Sequence, residues 1–290
     1  MDKSQEVLRR LESLKNLPTL PVVIDKLRAT VRDPNSNATK VARIIEDDPS
    51  MMARILKIVN SALYASWEPI VSVELAVARL GFNAVTNIAT STAVFQTYER
   101  TGQRDFDREA FWRHCVSVGI AVNVLYDRCK PNLQRRYGKD LMHLAGLLHD
   151  VGKIVLEPHF HDAFIAAVHA SIEKHMPLPQ AEVELLGTDH AEVGAWLAMR
   201  WNQPPEVLQA IRWHHHPGLA DVENQELTML VHSANYICNL EKIGDGGDTA
   251  APAFQQAVWT RLGLTVKDIP VVVDEVVERS RESEVLMALL

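Results

Sequence analysis

Apolar residues recur at helical spacing along almost the whole chain, and this pattern constrains the fold more than any other feature. Asp48 and Pro49 match a helix N-cap followed by proline at the first helical position. Ser72 precedes a helical stripe that ends at Gly81, a residue type that suits the left-handed end of a helix. No segment alternates convincingly like a half-buried strand, and only Val271–Val273 looks β-like. The pattern therefore predicts an all-α fold.

The histidines divide the chain into two regions, because all twelve lie between His114 and His232. A length of 290 residues allows one large domain or two modest ones. A polar segment at residues 99–104 precedes the histidine-rich region. We therefore predict an N-terminal helical subdomain over residues 1–105, packed on a second helical subdomain over residues 106–290. The glycine-rich segment Gly244–Thr249 is typical of a flexible loop before the final helices.

Composition excludes several classes of protein. Apolar residues make up 47% of the chain and charged residues 23%, which excludes a wholly disordered chain. The three cysteines form no CxxC pair, as suits a reducing cytoplasm. The N-terminus lacks the apolar core of a signal peptide, and the longest uncharged stretch, Leu80–Tyr98, is too polar to span a bilayer. We expect a soluble, cytoplasmic protein without a membrane partner.

Charge argues against a nucleic-acid partner. The net charge is 30 − 37 = −7, which does not favour nonspecific coating of nucleic acid. Two predicted helices around an acidic turn have the outline of a helix-turn-helix, but the second carries only Arg54 and Lys57 as basic residues. A basic segment that holds Lys130, Arg135, Arg136 and Lys139 matches a solvated surface. We predict no binding to DNA.

Six side chains lie on the inward faces or at the buried ends of four predicted helices. They are His114, His149, Asp150, His190, His214 and His215. Each buried polar group without a partner costs roughly 1–3 kcal/mol, so convergence on one cation explains several of them together. Histidine and carboxylate ligands suit Zn, Fe, Ni or Mn and do not distinguish among these metals.

The remaining histidines fall into two groups. Four lie in a polar helical region and are expected to be solvated: His159, His161, His169 and His175. His143 and His232 are expected either to support the metal ligands or to lie at the surface. The direction of His216, before Pro217, stays open.

The order of these ligands resembles the HD superfamily of helical metal-dependent phosphohydrolases. His114, then His149 and Asp150 within GLLHDVGK, then His190, then His214 and His215 are spaced most like the HD-GYP branch. The Gly-Tyr-Pro motif of that branch is replaced here by His216-Pro217-Gly218-Leu219. The superfamily's last ligand is an aspartate, and the matching position is Asn235, whose amide oxygen carries no charge.

The N-terminal region resembles a particular relative of that superfamily, the HDOD domain. The resemblance rests on LPTLPVVIDKL, IIEDDPSMMARILKIVNSALY and VELAVARLGFNAVTNIA, with Asn60-Ser61 and Arg79-Leu80-Gly81 as its most specific marks. It extends from about Leu17 to the last helix, where WTRLGLTVKDIPVVVDEV also fits. HDOD domains are all-helical bacterial signalling modules, regarded as non-enzymatic relatives of the HD hydrolases that lose most metal ligands, whereas this chain keeps most of them.

These features lead to a regulatory module as the first hypothesis. It would bind a protein of a signalling pathway, or a nucleotide or phosphate ligand, and retain an HD-type site for a divalent metal. The alternative is a metal-dependent phosphohydrolase or phosphodiesterase, in which Asp150 bridges metals or orients the nucleophile and Lys153 steadies a phosphate charge. We expect weak turnover or none, because Asn235 cannot supply the anionic oxygen of an aspartate.

Overall fold

A computed structural model describes residues 3–13, 22–60, 68–98, 106–248 and 254–282. None of these residues forms a strand, so the all-α prediction is confirmed. The N-terminal helices are α1 (Lys3–Ser13), α2 (Val22–Arg32), α3 (Ala38–Glu46), α4 (Pro49–Val59), α5 (Val73–Leu80) and α6 (Phe82–Tyr98). The later helices are α7 (Arg108–Cys129), α8 (Lys139–Leu148), α9 (Lys153–His159), α10 (His161–Lys174), α11 (Leu178–Leu186), α12 (His190–Arg200), α13 (Pro205–Trp213), α14 (Gln225–Leu240), α15 (Gln256–Leu262) and α16 (Asp268–Glu282).

Local sequence signals account for the ends of the N-terminal helices. The Asp48 carboxylate accepts hydrogen bonds from the backbone N–H groups of Ser50 and Met51, and so caps α4. The Ser72 hydroxyl accepts from the Leu75 N–H at the start of α5, and Gly81 ends that helix with a φ of 86°. These caps agree with the sequence pattern.

Asn60 joins two separate stretches of backbone. Its side-chain amide donates to the carbonyl oxygens of Leu56 and Ile70, at 2.7 and 2.8 Å, and its Oδ1 atom accepts from the Ile70 N–H at 2.7 Å. This position needs a side chain that both donates and accepts hydrogen bonds. An amide does both, whereas an ionised aspartate only accepts and a leucine forms no hydrogen bond. Its neighbour in the motif, Ser61, lies outside the described residues.

Helix α7 is the central element of the C-terminal region. The Asp107 carboxylate caps it by accepting from the Ala110 N–H, and every residue from Phe111 to Tyr126 except the exposed Arg113 is buried. It packs against α8, α14 and α16. The Val271–Val273 segment, which looks β-like, lies within α16, where Val272 and Val276 are buried at i, i+4 spacing. Packing of this face on α7 overrides the β propensity of valine.

Helices of the N-terminal region contact those of the C-terminal region directly. Helix α6 packs on α8, and the Asn87 amide donates to the Asp140 carboxylate at 2.7 Å. The Arg28 guanidinium donates to the carbonyl oxygen of Trp201 at the end of α12. The predicted seam at residues 99–104 lies outside the described residues, and the division into 1–105 and 106–290 remains a prediction. No helix in the described part of the chain has both the length and the apolar character needed to cross a membrane.

Candidate metal centre

The structure brings the six candidate ligands, which lie on or directly after four helices, together at one point. His114 projects from the middle of α7, His149 and Asp150 follow α8, and His190 is the first residue of α12. His214 and His215 directly follow α13. Two overlapping groups share Asp150, and the potential ligand atoms within each group lie within 4.8 Å of one another: His114, His149 and Asp150 in one, and Asp150, His190, His214 and His215 in the other. Only His215 is not fully buried.

Hydrogen bonds from Nδ1 to backbone carbonyl oxygens orient two of the imidazole rings. The His149 Nδ1 atom lies 2.7 Å from the Gly146 carbonyl oxygen, and His214 Nδ1 lies 2.7 Å from the Ile211 carbonyl oxygen. Because a carbonyl oxygen only accepts, both Nδ1 atoms carry a proton, so the neutral form of each ring presents its lone pair at Nε2. This arrangement is typical of metal-binding histidines.

The Nε2 atoms of four of these imidazoles point toward the Asp150 carboxylate. They lie 3.1 Å from its nearest oxygen for His190, 3.3 Å for His149, 3.5 Å for His214 and 3.9 Å for His114. The Nε2 atoms of His114, His149 and His214 have no hydrogen-bond partner among the described residues. The Nε2 atoms of His190 and His215 lie only 2.9 Å apart. Buried, unpartnered lone pairs around one carboxylate are the donor set that a divalent cation satisfies, so these residues fit a metal ion.

Burial and charge set the protonation of these ligands. Burial lowers the pKa values of His114 and His214 to about 4, so both rings are neutral at pH 7. Burial opposes ionisation of Asp150 but is outweighed by His149, Lys153 and His190, so the pKa of this carboxyl lies well below its usual value. Burial also disfavours a charge on His190, yet Glu182 and Asp150 raise its pKa to about 10. His190 therefore holds a proton that a cation would displace.

Glu182 is a functional residue that the sequence analysis did not select. Its Oε2 atom accepts from the His190 N–H at 2.9 Å and lies 2.6 Å from His190 Nδ1, and the side chain is fully buried. A signal was present in the sequence, because Glu182 falls between Leu178 and Leu186 on the i, i+4 stripe of α11. An acid within an apolar stripe indicates a buried partner.

Close contact between two stretches of backbone brings His149 and Asp150 next to His190. A Cβ atom at Gly152 would lie 2.0 Å from the His190 carbonyl oxygen and 2.7 Å from the Gly194 nitrogen. Only glycine allows the start of α9 to approach α12 this closely. The glycine after His149-Asp150 is thus a packing requirement of the site.

The segment Gly244–Asp248, predicted to be a flexible loop, packs directly against the cluster. The Asp245 N–H donates to the Ala110 carbonyl oxygen at 2.9 Å. A Cβ at Gly246 would lie 3.2 Å from His114 Nε2 and 3.3 Å from the nearer Asp150 oxygen. Glycine leaves just enough room for the backbone to cover these two ligands.

Lys153 ties this loop to the site. Its buried ammonium donates to the Asp150 carboxylate and the Gly246 carbonyl oxygen, both at 2.7 Å, and to Asp248 at 3.0 Å. The sequence analysis assigned Lys153 to a phosphate. Its three donors are instead directed to two carboxylates and a carbonyl group, which raises the pKa of this amine despite its burial.

The other histidines follow the sequence expectations only in part. His169 and His175 are exposed, whereas His159 and His161 are partly buried. His161 was expected in solvent, yet its Nδ1 atom lies 3.4 Å from the fully buried Glu157 carboxylate. His232 is buried, and its Nδ1 donates to the His214 carbonyl oxygen at 2.7 Å, so it supports a candidate ligand. His143 lies beside α7, and His216 is exposed.

Asn235 is buried in α14, and its Oδ1 atom accepts from the Asn239 side chain at 2.8 Å. The amide oxygen thus has a partner on its own helix.

Comparison with known proteins places this helical architecture among its relatives. The family model for the HDOD domain matches residues 17–217. An HDOD domain protein of unknown function from Geobacter sulfurreducens is 24% identical, with 98% of this chain and 97% of that chain covered and a TM-score of 0.77. A proposed phosphohydrolase from Shewanella amazonensis SB2B is 24% identical over 98% and 97% of the two chains, with a TM-score of 0.72. At this identity, both structures show a shared fold alone.

Two further relatives are longer than this chain. A proposed signal transduction protein from Marinobacter aquaeolei VT8 is 24% identical, with 99% of this chain but 65% of that chain covered and a TM-score of 0.76. An uncharacterized protein from Treponema pallidum is 25% identical over 228 residues, which are 77% of this chain and 42% of the relative. The chain thus spans less than half the length of that curated relative.

Proposed function

Because the chain belongs to the HDOD domain family, we propose that it is a bacterial signalling module that retains a metal centre and acts by binding a ligand or a partner protein. The observation that carries this proposal is the convergence of five imidazoles on the buried Asp150 carboxylate. The covering loop and the engaged Lys153 favour regulation over turnover, since the buried Lys153 ammonium is already held by two carboxylates.

The ligands proposed to hold the metal are His114, His149, Asp150, His190, His214 and His215. Asp150 would contribute the negative charge, and Glu182 would orient His190 through its Nδ1 atom. His149 and His214 need no further positioning, because backbone carbonyl groups already set their tautomer. The donor set suits Fe, Mn, Zn or Ni.

A metal-dependent phosphohydrolase is the second candidate, favoured by retention of all six residues. A metal bound here would supply a Lewis acid and an activated water. The chain itself would have to free the Lys153 ammonium from Asp248 before it could neutralise a phosphate. The uncharged side chain of Asn235 and the cover of Gly246 over Asp150 both oppose turnover.

Metal analysis of the purified protein, paired with a hydrolysis screen on cyclic dinucleotides and simple phosphodiesters, tests both candidates. We expect at least one metal ion per chain, lost in His149→Ala and retained in His169→Ala, which alters an exposed histidine. We expect no hydrolysis above background. Absence of metal from the unaltered protein would contradict the proposed centre. Hydrolysis that His149→Ala abolishes, or that Asn235→Asp raises along with metal content, would establish the hydrolase instead.

A further inference from the structure

A cavity of about 450 Å³ lies beside the candidate metal centre. His215, one of the candidate ligands, and Asp248, which accepts from Lys153, both line it. The apolar part of its lining comes from α11 and the proline before it: Pro177, Leu178, Pro179 and Val183. Volumes of this order are usual for small-molecule sites, which combine apolar walls with a few polar groups.

The polar groups of the cavity are mainly hydrogen-bond acceptors. Asp189 and Asp248 contribute carboxylates, and no lysine or arginine is among the described residues that line the cavity. His232 also lines it. Because His232 Nδ1 donates to the His214 carbonyl oxygen, its buried Nε2 atom is an acceptor, and it has no partner among the described residues.

The glutamine amides that line the cavity, and the lysine next to it, already donate hydrogen bonds to other groups of the protein. The Gln255 amide donates to the His215 carbonyl oxygen at 3.3 Å, and the Gln180 amide donates to Glu184 at 3.5 Å. The Lys153 ammonium, which reaches Asp248, has two other acceptors. The other side-chain donors of the described lining are the ring N–H groups of His215 and His216 and the second N–H of each glutamine amide, and none of them belongs to a lysine or arginine. A phosphate placed here would lose its hydration and meet carboxylates, which is unfavourable.

We propose that this cavity binds a small molecule that carries an amino group on an apolar body, and that it discriminates against phosphate esters. The amine would donate to the acceptors at Asp189, Asp248 and His232, while the apolar body packs on the wall of α11. This inference rests on the proposed signalling function in one respect, since the bound molecule would be the signal that reaches the metal centre through His215. This ligand differs from the nucleotide or phosphate predicted from the sequence, which stays a prediction.

Two sources of this chemistry are an aminated nucleobase and an organic amine. Titration calorimetry with adenosine and with phenethylamine distinguishes them, and adenosine 5′-monophosphate is the matched anionic probe. We expect saturable binding of at least one of the two amines, and binding of the monophosphate at least tenfold weaker than that of adenosine if adenosine binds. Failure of both amines to bind, or monophosphate binding as tight as that of adenosine, would overturn the proposal.

Charge changes at Val183 test whether the binding occurs in this cavity. Val183 lines it but is 49% exposed, so both Val183→Lys and Val183→Glu should fold. We expect the affinity for phenethylamine, which is cationic at neutral pH, to fall about two- to fivefold in the lysine variant and to rise by a similar factor in the glutamate variant, as exposed charge pairs allow. Val222→Lys is the control, because Val222 is 79% exposed and does not line the cavity. Equal effects of Val183→Lys and Val222→Lys would contradict the assignment.

Chelation separates this inference from the proposed metal centre. The titrations are repeated on protein treated with a chelator, and metal content is measured on the same samples. We expect amine binding to persist, because the acceptors belong to the protein. A chain without metal that still binds an amine would remove the metal proposal and leave this one standing. Amine binding that chelation abolishes would contradict recognition by the cavity walls.

Discussion

Glu182 controls the chemistry of His190 without belonging to the six candidate ligands. Its carboxylate contacts both the backbone N–H and the Nδ1 atom of His190, and burial raises its own pKa. A charged acceptor at Nδ1 makes Nε2 more basic and holds the ring in place. Replacement by glutamine keeps the shape of the side chain and removes the charge.

We expect Glu182→Gln to weaken metal affinity about 10- to 100-fold while the fold is retained. Competition with a chelator of known affinity measures the change. Glu184→Gln is the matched control, since Glu184 lies on the same helix but is exposed, where it pairs with Lys174. Equal affinities for the two variants would mean that Glu182 has a packing role only.

The residues that sequence analysis could find are those whose position follows from helical spacing. His114 and His190 lie on inward stripes, and the structure brings both to the cluster. The partner of His190 was not identified, because the approach of α11 to α12 depends on tertiary packing and on the turn at Gly187. The contacts of Lys153 were not predictable for the same reason, since two of its three acceptors, Gly246 and Asp248, lie more than 90 residues away along the chain.

Helices and their caps were predictable from the sequence because local hydrogen bonds determine them, as the caps at Asp48 and Ser72 illustrate. The course of Gly244–Asp248 was not, because glycine-rich segments have no periodicity and adopt positive φ at Gly244 and Gly247. The contact between α9 and α12 is similarly a property of two elements together. It depends on Gly152, whose role the sequence alone did not indicate.

We expect Gly152→Ala to destabilise the fold by about 1–3 kcal/mol or more, because the new methyl group meets the backbone of His190 rather than a flexible side chain. Denaturant unfolding measures the free energy, and metal content reports displacement of His190. Gly218→Ala is the control, since no atom lies within 4 Å of a Cβ at that position. Similar stabilities for the two variants would show that α9 and α12 can separate without cost.

His143 of α8 packs against α7, and its burial makes the free energy of unfolding depend on pH. His143 Nδ1 is buried, and a Cβ at Gly119 would lie only 2.7 Å from it. Burial lowers the pKa of His143 to about 4, below its ordinary value of 6.5. The unfolded chain therefore binds the proton first, so the contribution of the neutral ring is complete above pH 6.5 and is lost as the pH falls toward 4.

We expect His143→Gln to reduce the slope of unfolding free energy against pH in this window, by up to about 1.4 kcal/mol per pH unit. Urea unfolding between pH 4.5 and 7.5 measures that slope for each protein. His169→Gln replaces an exposed histidine and should leave it unchanged. If the His143 and His169 variants follow the same curve, His143 is protonated in the fold without penalty.

On the scale of the whole molecule, helices of the two predicted subdomains pack on each other at several places. Helix α6 packs on α8, α1 packs on α11, and Arg28 of α2 donates to the end of α12. Burial lowers the pKa of Arg28, so this guanidinium is taken from water to make the contact. Helices α8 and α12 thus connect the candidate metal centre to the N-terminal helices. We infer that residues 1–105 and 106–290 unfold together.

The hydrogen bond between Asn87 and Asp140 tests this inference, because it joins α6 to α8. Its donor and acceptor can be exchanged by substitution. Asn87→Asp places a second carboxylate where an amide donates at 2.7 Å, and we expect a loss of about 1–2 kcal/mol from the lost hydrogen bond and the repulsion. The double variant Asn87→Asp, Asp140→Asn restores one donor and one acceptor, so it should recover most of that loss. Denaturant unfolding followed by far-ultraviolet circular dichroism and by tryptophan fluorescence should show one coincident transition in all three proteins. Separate transitions for the two probes, or no recovery in the double variant, would mean that the subdomains are only loosely joined.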